Sequence, residues 1–426
     1  MFTNKESLLD KKPLLTLALL AAVSLSATAQ NAPKSDCYLP EDFFIGTNLE
    51  YSKHMLSLQR GVTDKTSYLL NALAEGQLKT GKLYLSGHAS FSHYMERTDV
   101  AGKFPILGRF PDQHTATDKS ANESTIDNIN LSLTYAPTEW ISLYLGGIYT
   151  ELEFPGQDEK QLREAYITFG NLSETPFYLS IGRKTVNFGN MQSYNPTTHT
   201  VTNHFYRTDT DDIAVEFGYL TKDWHISMTA IDGNRQLRVA DSTSDSSFGN
   251  FAISAQRNFK VNDWDVSVGA GYINSTIYDS DAANHPGVNP DPLTERDRNG
   301  AYDLWVEARK DKWSLMAEYT KTERAWPATG RAVEAITLQA AYDTELWAKP
   351  TRFSLAYGRG QQGHSSDAFY ELEQLAAGAE MWVTPNFSIS AEYVYNRAFV
   401  PLIMISRASD PGVDTHTFIL SGKLFF

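Results

Sequence analysis

Apolar and polar residues alternate one by one along many stretches of this chain. Val215, Phe217 and Tyr219 fall on one face of an extended strand, and Glu216 and Gly218 fall on the other. The same alternation recurs in residues 224–230, 264–272 and 387–395. A period of two predicts a β-strand with one apolar and one polar face. The longer stretches reach the ~10 residues that a tilted strand needs to cross the hydrocarbon of a bilayer.

Short turns separate these stretches, and an aromatic residue begins or closely follows the start of the next strand. Trp140 ends one such turn, and Phe177 follows another. The turns lie at residues 137–140, 171–176, 222–224, 262–264, 311–313, 347–350 and 384–386. Amphipathic aromatic rings are most stable at the level of the lipid headgroups. The repeated position of these rings therefore favours a transmembrane barrel over a soluble sheet.

Long polar connections alternate with the short turns. They are predicted at residues 92–124, 187–211, 233–247, 275–299, 322–330, 360–369 and 398–412. Short connections at one end and long ones at the other are typical of outer-membrane barrels. By length, 92–124 and 187–211 are the best candidates for a loop that folds into the lumen and forms a constriction.

The resulting fold class is all-β: a transmembrane, antiparallel, up-and-down β-barrel. Counting an eighth turn at residues 79–82, with strands at 43–51 and 67–79, predicts eighteen strands. Sixteen strands is the alternative, because 43–51 and 67–79 have the weakest alternation. Either number encloses a water-filled lumen.

The two ends of the chain fit this prediction. A lysine pair, an apolar run and small residues predict a signal peptide at residues 1–29. A short periplasmic segment is expected at 30–42, and the barrel at 43–426. The last strand has an alternating apolar face, formed by Phe418, Leu420, Leu424 and Phe426. This face is the expected recognition signal for the barrel-assembly machinery. The alternative is an ordinary last strand of a soluble sheet.

Composition excludes several classes of protein. The formal net charge of −14 argues against a nucleic-acid partner, since phosphate binding requires a basic surface. One cysteine precludes an internal disulfide bond. The ten histidines show no spacing typical of a metal site, so we expect no metal and no cofactor. No nucleophile motif is present, and we expect that the chain is not an enzyme.

Strand alternation also predicts which charged side chains face the lumen. A lumen with both signs of charge creates a transverse field that orders polar solutes. The alternative is that channel water solvates these groups and that they have no special role. The predicted inward charges are Glu164, Lys184, Glu216, Asp303, Glu307, Arg309, Glu318, Arg352, Glu380 and Glu392.

Residues 162–171, 176–184 and 186–189 resemble the central hairpin of LbtU-type siderophore porins. This resemblance implies an outer-membrane barrel that takes part in siderophore uptake without a plug domain. Gly182 is suited to a bulge or to a close approach of two backbones, either of which turns Arg183 into the lumen. Together with Arg163 and Lys184, Arg183 is then expected to contact an anionic solute.

We therefore predict a Gram-negative outer-membrane porin for passive diffusion of small hydrophilic solutes, among them a ferric siderophore. The predicted partners are membrane lipid, the solute and the barrel-assembly machinery. A homotrimer is one candidate assembly. The alternative is a structural or adhesive surface barrel that transports nothing and whose long loops bind a partner.

Overall fold

The computed structural model describes residues 45–109, 117–151, 159–210, 213–232, 248–279, 298–327, 329–365, 371–399 and 410–426. The predicted signal peptide and the segment 30–42 lie outside these residues, as do the connection 233–247 and most of 275–299.

Seventeen strands form one continuous sheet. They are β1 (Ile45–Gly46), β2 (Leu83–Thr98), β3 (Ser120–Thr138), β4 (Ile141–Tyr149), β5 (Lys160–Phe169), β6 (Phe177–Arg183), β7 (Ala214–Leu220), β8 (Trp224–Ile231), β9 (Asn250–Val261), β10 (Trp264–Ile273), β11 (Ala301–Lys310), β12 (Trp313–Trp326), β13 (Arg331–Leu346), β14 (Lys349–Gln361), β15 (Glu371–Thr384), β16 (Phe387–Phe399) and β17 (Asp410–Phe425).

Strands β2 to β17 form a closed antiparallel barrel. Each pairs with its neighbours in the chain, and β17 returns to pair with β2 from Thr415 opposite Thr98 to Phe425 opposite His88. The predicted barrel is therefore confirmed, with sixteen strands in the wall. The short strand β1 runs parallel to β2 beyond the end of β17, where Ile45 lies opposite Leu83.

The seven predicted short turns all join strands at one end of the barrel, which we call the short-turn end. Trp140, Trp224 and Trp313 lie there with outward, exposed side chains, as predicted. The predicted connection 92–124 is shorter than expected because its two ends pair with each other, from Ser92 opposite Thr125 to Arg97 opposite Ser120.

The outer face of the wall is apolar, and the inner face is polar. The side chains of Phe217, Met228 and Leu304 are more than half exposed on the outer face. Glu216 on β7 and His225 on β8 are buried on the inner face. In β17, Phe418 and Leu420 face outward, and Leu424 and Phe426 share their parity. An apolar belt of this kind is the surface that a barrel presents to lipid.

The prediction of strands at 43–51 and 67–79 was wrong, except for the short strand at Ile45–Gly46. These regions form helices α1 (Leu49–Leu56) and α2 (Lys65–Ala74), and 79–82 leads from α2 into β2. In α1 the buried residues are Tyr51, Ser52, Met55 and Leu56, a helical spacing. The Asn48 side chain accepts the Tyr51 amide and begins that helix.

A third helix, α3 (Val201–Tyr206), lies in the connection between β6 and β7. The Thr200 side chain caps it by accepting the amide of Asn203. Across the described residues, no helix is long and apolar enough to span a membrane.

Leu304→Arg tests the outer face, because Leu304 is 58% exposed on the outward side of β11. A cationic side chain in hydrocarbon should destabilise the folded barrel and lower its free energy of unfolding by roughly 2–4 kcal/mol. Urea titration of the refolded barrel in vesicles measures this change. Leu304→Phe is the control and should cost far less; equal costs would contradict the outward placement in lipid.

Candidate functional site in the barrel lumen

Residues 49–78, which we call the N-terminal luminal segment, lie inside the barrel against β2 to β7 and also contact β15 and β17. Tyr51 is fully buried, and its hydroxyl lies 3.1 Å from the hydroxyl of Thr134 on β3. Met55 and Leu69 of the two helices pack with the inward rings of Tyr144 and Tyr166. Helices therefore occupy a part of the lumen that the sequence predicted to be open.

Residues 184–210, which we call the infolded loop, fill another part of the lumen. Phe188, Met191 and Phe205 are buried in an apolar cluster with inward residues of the wall, among them Ile231 and Val333. The predicted constriction candidate 187–211 does enter the barrel. Residues 211 and 212 lie outside the described residues.

Wall carboxylates hold the backbone of the infolded loop. One carboxylate oxygen of Glu318 accepts the amides of Asn190 at 2.6 Å and of Met191 at 2.9 Å, and the other accepts the hydroxyl of Thr202. Glu392 accepts the amides of Thr197 and Thr198. Both glutamates are 1% exposed. Hydrogen bonds to a charged acceptor are stronger than neutral ones, so these carboxylates fix the path of the loop.

Glu307 and Glu380 also contact the luminal segments. Glu307 accepts hydrogen bonds from Gln192 and from the Tyr194 hydroxyl, and it pairs with Arg309 at 2.8 Å. Glu380 accepts the Arg60 guanidinium at 3.1 Å from the link between α1 and α2. Protein donors thus contact both carboxylates from inside the lumen.

A basic pocket lies between the two luminal segments and β5. Four cations line it, namely Lys65, Arg163, Lys184 and Arg207. Lys65 pairs with Glu164 at 2.5 Å, and Lys184 pairs with Glu216 at 2.8 Å. Arg163 and Arg207 share Asp209, at 3.6 and 3.1 Å. Among the described residues that meet there, four cations face three carboxylates.

A larger cavity of about 650 Å³ opens toward the short-turn end. Three guanidinium groups line it, and each is paired: Arg60 with Glu380, Arg309 with Glu307, and Arg352 with Asp343. On the side of β8 to β10 the lining is uncharged, with side chains such as Gln256, Asn258 and Ser267. The cavity lining is therefore mostly polar, a character that suits water and hydrophilic solutes.

The luminal segments shift the pKa values of their own titratable groups. Partial burial lowers the pKa of Arg60, although Glu380 opposes this effect. The pKa of the Asp64 carboxyl lies below its ordinary value. Burial alone would raise it, but the His54 imidazole, 2.9 Å away, has the larger, opposite effect. Burial, and then the nearby Glu307, raise the pKa of Tyr194. A raised pKa keeps the Tyr194 hydroxyl protonated at neutral pH, so it can donate to Glu307.

The structure groups the charged residues that the alternation predicted, together with Arg163, which the resemblance to siderophore porins implied. Arg163, Glu164, Lys184 and Glu216 meet at or beside the basic pocket, whereas Glu307, Arg309 and Arg352 line the larger cavity. Glu318, Glu380 and Glu392 hold the luminal segments, and Asp303 accepts a hydrogen bond from Thr320.

Gly182 has the unusual backbone that the sequence predicted at this position. Its φ is +140°, and an added Cβ would lie 2.2 Å from the carbonyl oxygen of Ala165, so only glycine fits there. Arg183 is partly buried at the end of β6, opposite Ala165. It does not line either described pocket.

Sequence reasoning missed the cations that come from outside the strands. Lys65, Arg60 and Arg207 lie in segments without period-two alternation, so strand parity says nothing about them. The helical spacing of Tyr51 and Met55 was the available signal for the N-terminal luminal segment. Among the described residues, no group of three His, Cys, Asp or Glu side chains is placed to hold a metal ion.

Solved porin structures share this architecture. OprB of Pseudomonas putida aligns with a TM-score of 0.54 at 10% identity, over 80% of this chain and 94% of its own. An anion-selective porin of Comamonas acidovorans gives 0.52 at 9% identity, over 81% and 99%. The outer-membrane channel DcaP of Acinetobacter baumannii gives 0.53 at 13% identity, over 81% and 97%. The chain has the fold of outer-membrane porins.

No protein-family model matches the chain, and no functionally curated protein matches its sequence. The resemblance of β5 and β6 to siderophore porins therefore stays a prediction. The porin fold and the apolar outer face together support the predicted outer-membrane location.

Glu318→Ala tests the attachment of the infolded loop. The substitution leaves the amides of Asn190 and Met191 without their acceptor, and each buried unsatisfied amide costs about 1–3 kcal/mol. We expect trypsin to cleave after Arg207 in the variant and not in the native barrel.

Glu334→Ala is the matched control, because Glu334 bonds Tyr319 and Lys321 on the exposed outer side of neighbouring strands. If Arg207 stayed protected in Glu318→Ala, this glutamate would not be an anchor of the loop.

Proposed function

We propose that this protein is an outer-membrane channel through which small hydrophilic solutes diffuse down their gradient. The observation that carries the proposal is the polar, charged interior of a closed sixteen-strand barrel whose outer face is apolar. A pore of this type needs a wetted interior, a constriction and a suitable pattern of charge. We expect no catalytic step and no cofactor.

The infolded loop is the proposed constriction. It reaches from β6 across the lumen, and Tyr194 and Thr202 contact Gln339 and Thr337 on β13. The barrel is thereby narrowed where both luminal segments meet the wall. The short-turn end, where the 650 Å³ cavity opens, is the periplasmic side in this proposal.

The basic pocket is the proposed contact site for an anionic solute. Arg163 and Lys184 were predicted for this role, and Lys65 and Arg207 join them there. Carboxylate and phosphate groups match the donor geometry of guanidinium groups. Arg309 and Arg352 extend cationic groups toward the periplasmic end, but each is paired with a carboxylate.

A ferric siderophore is the finer proposal for the solute. Its support is the similarity of residues 162–189 to siderophore porins, since this hairpin supplies Arg163 and Lys184 to the basic pocket. Recognition of Phe418 and Phe426 by the assembly machinery and formation of a homotrimer also remain predictions.

A structural or adhesive barrel is the second candidate. The observation that favours it is the burial of inward wall groups such as Glu318 and Glu392 beneath protein instead of water. A channel conducts ions across a bilayer and a closed structural barrel does not, so a conductance measurement distinguishes the two candidates.

The channel proposal predicts discrete ion-conducting steps when the folded protein inserts into a planar bilayer. Heat-denatured protein in the same detergent is the control. Absence of stable conductance from protein that is correctly folded by circular dichroism would favour the structural barrel.

The basic pocket makes a prediction about charge selectivity. Arg163→Gln combined with Arg207→Gln removes two cations and leaves Asp209 facing the pocket. In a KCl gradient, the reversal potential should shift toward greater cation selectivity. Arg257→Gln is the control, since Arg257 lies over Trp224 on the outer face. Equal reversal potentials in all three proteins would exclude the pocket from the ion path.

The siderophore proposal predicts a growth defect. A deletion strain should grow poorly when a ferric siderophore is its sole iron source, and the native gene should restore growth while the Arg163 and Arg207 double variant restores it less. Unchanged growth of the deletion strain reduces the proposal to a general channel.

A further inference from the structure

We propose that the N-terminal luminal segment is a displaceable plug, which fills the part of the lumen beside β2 to β7 in this structure and leaves the wall when the channel opens. The inference rests on the proposed channel function but concerns a separate property, the movement of residues 49–78. Its arguments are the kind of contacts that hold the segment, its internal cohesion, and its connection to β2.

Side-chain contacts, and not a hydrogen-bonded ladder, join the segment to the wall. The main polar ones are Lys65 to Glu164 at 2.5 Å, Arg60 to Glu380 at 3.1 Å and Tyr51 to Thr134 at 3.1 Å. Water replaces contacts of this kind when a lumen floods, because both charges regain their hydration. A strand in the sheet has no such exchange, since each lost backbone hydrogen bond would face lipid or a neighbour.

The infolded loop is attached in a different way. Its backbone amides at residues 190, 191, 197 and 198 are bonded to Glu318 and Glu392, and its apolar side chains form the largest described core cluster. The described contacts of the N-terminal luminal segment include no bond of this kind from its backbone amides to a wall carboxylate. Apolar side chains and a few polar contacts hold it to the wall, and Gln59 and Thr63 bond the infolded loop. Elements that move in function are drawn from the less stable parts of a fold.

The segment is cohesive within itself. The His54 ring stacks on Tyr68 with 3.6 Å between the ring centroids, and His54 also contacts Asp64 at 2.9 Å. These contacts join α1 to α2 across the link between them. The two helices are therefore expected to move as one body.

Two glycines flank the connection from α2 to the first barrel strand. Gly76 and Gly81 have φ values of +73° and +76°, and no atom lies within 4 Å of the position where a Cβ would be. The connection thus has open space around backbone positions that glycine adopts at little cost. These are properties expected of a hinge, which absorbs a large change in backbone angles in a few residues.

The test measures the exposure of the wall beneath the segment. Thr134→Cys, in a Cys37→Ser background, places a thiol under Tyr51, where Thr134 is 1% exposed. The barrel is folded in vesicles and treated with a membrane-impermeant thiol reagent that is small enough to enter the lumen. Lys65→Gln with Glu164→Gln then removes the main ion pair without leaving a lone buried charge.

We expect the double substitution to speed labelling of Cys at position 134 by about tenfold or more. Thr337→Cys is the matched site, because Thr337 is equally buried but is covered by Thr202 of the infolded loop. Its labelling should not change. Lys260→Gln, which removes an exposed ion pair with Asp265 near the short turns, should change neither rate.

Unchanged labelling at position 134 would overturn the proposal, and so would equal acceleration at positions 134 and 337, which would mean a general loosening of the lumen. Conductance recorded on the same preparations separates this proposal from the channel function. A conducting barrel with unchanged labelling contradicts only the plug, whereas a silent barrel with faster labelling contradicts only the channel.

Discussion

The interior of this barrel depends on hydrogen bonds that the infolded loop donates to carboxylates of the wall. Glu318 and Glu392 are almost completely buried, and a buried carboxylate is costly unless donors satisfy it. The loop supplies those donors from its backbone and in turn receives a fixed path across the lumen. Removal of the loop would take these donors from Glu318 and Glu392, and removal of the two carboxylates would leave the loop amides without their acceptors.

The N-terminal luminal segment follows the same rule at another part of the wall. Lys65 satisfies Glu164 from inside the lumen, while Lys184 satisfies Glu216 from the start of the infolded loop. The wall has an excess of carboxylates on its inner face, and the luminal segments carry many of the matching cations. Charge complementarity across the lumen thus accounts for the location of both segments, and the basic pocket lies where they meet.

Strand alternation was sufficient to predict the wall. Lipid on one face and a polar lumen on the other impose a period of two, and this pattern is local in the sequence. Phe217 and Glu216 could therefore be placed on opposite faces with no other information, and the closing strand could be placed by Phe418 and Leu420. The eighteen-strand count was wrong because short helical segments have too few residues for their period to stand out from a strand.

The partners of the inward charges could not be predicted from the sequence. Lys65 and Glu164 are 99 residues apart, and Asn190 and Glu318 are 128 apart. Which loop enters the lumen, and which carboxylate it meets, is decided by the closed geometry of the whole barrel and not by local propensity. Parity identified one member of each pair, and tertiary structure supplied the other.

Backbone hydrogen exchange of the folded barrel in lipid tests this account most directly. If Glu318 and Glu392 anchor the infolded loop, the amides of Asn190, Met191, Thr197 and Thr198 should exchange as slowly as those of the neighbouring strands. Exchange of these four amides as fast as that of the exposed turn residues Lys222 and Asp223 would contradict the account.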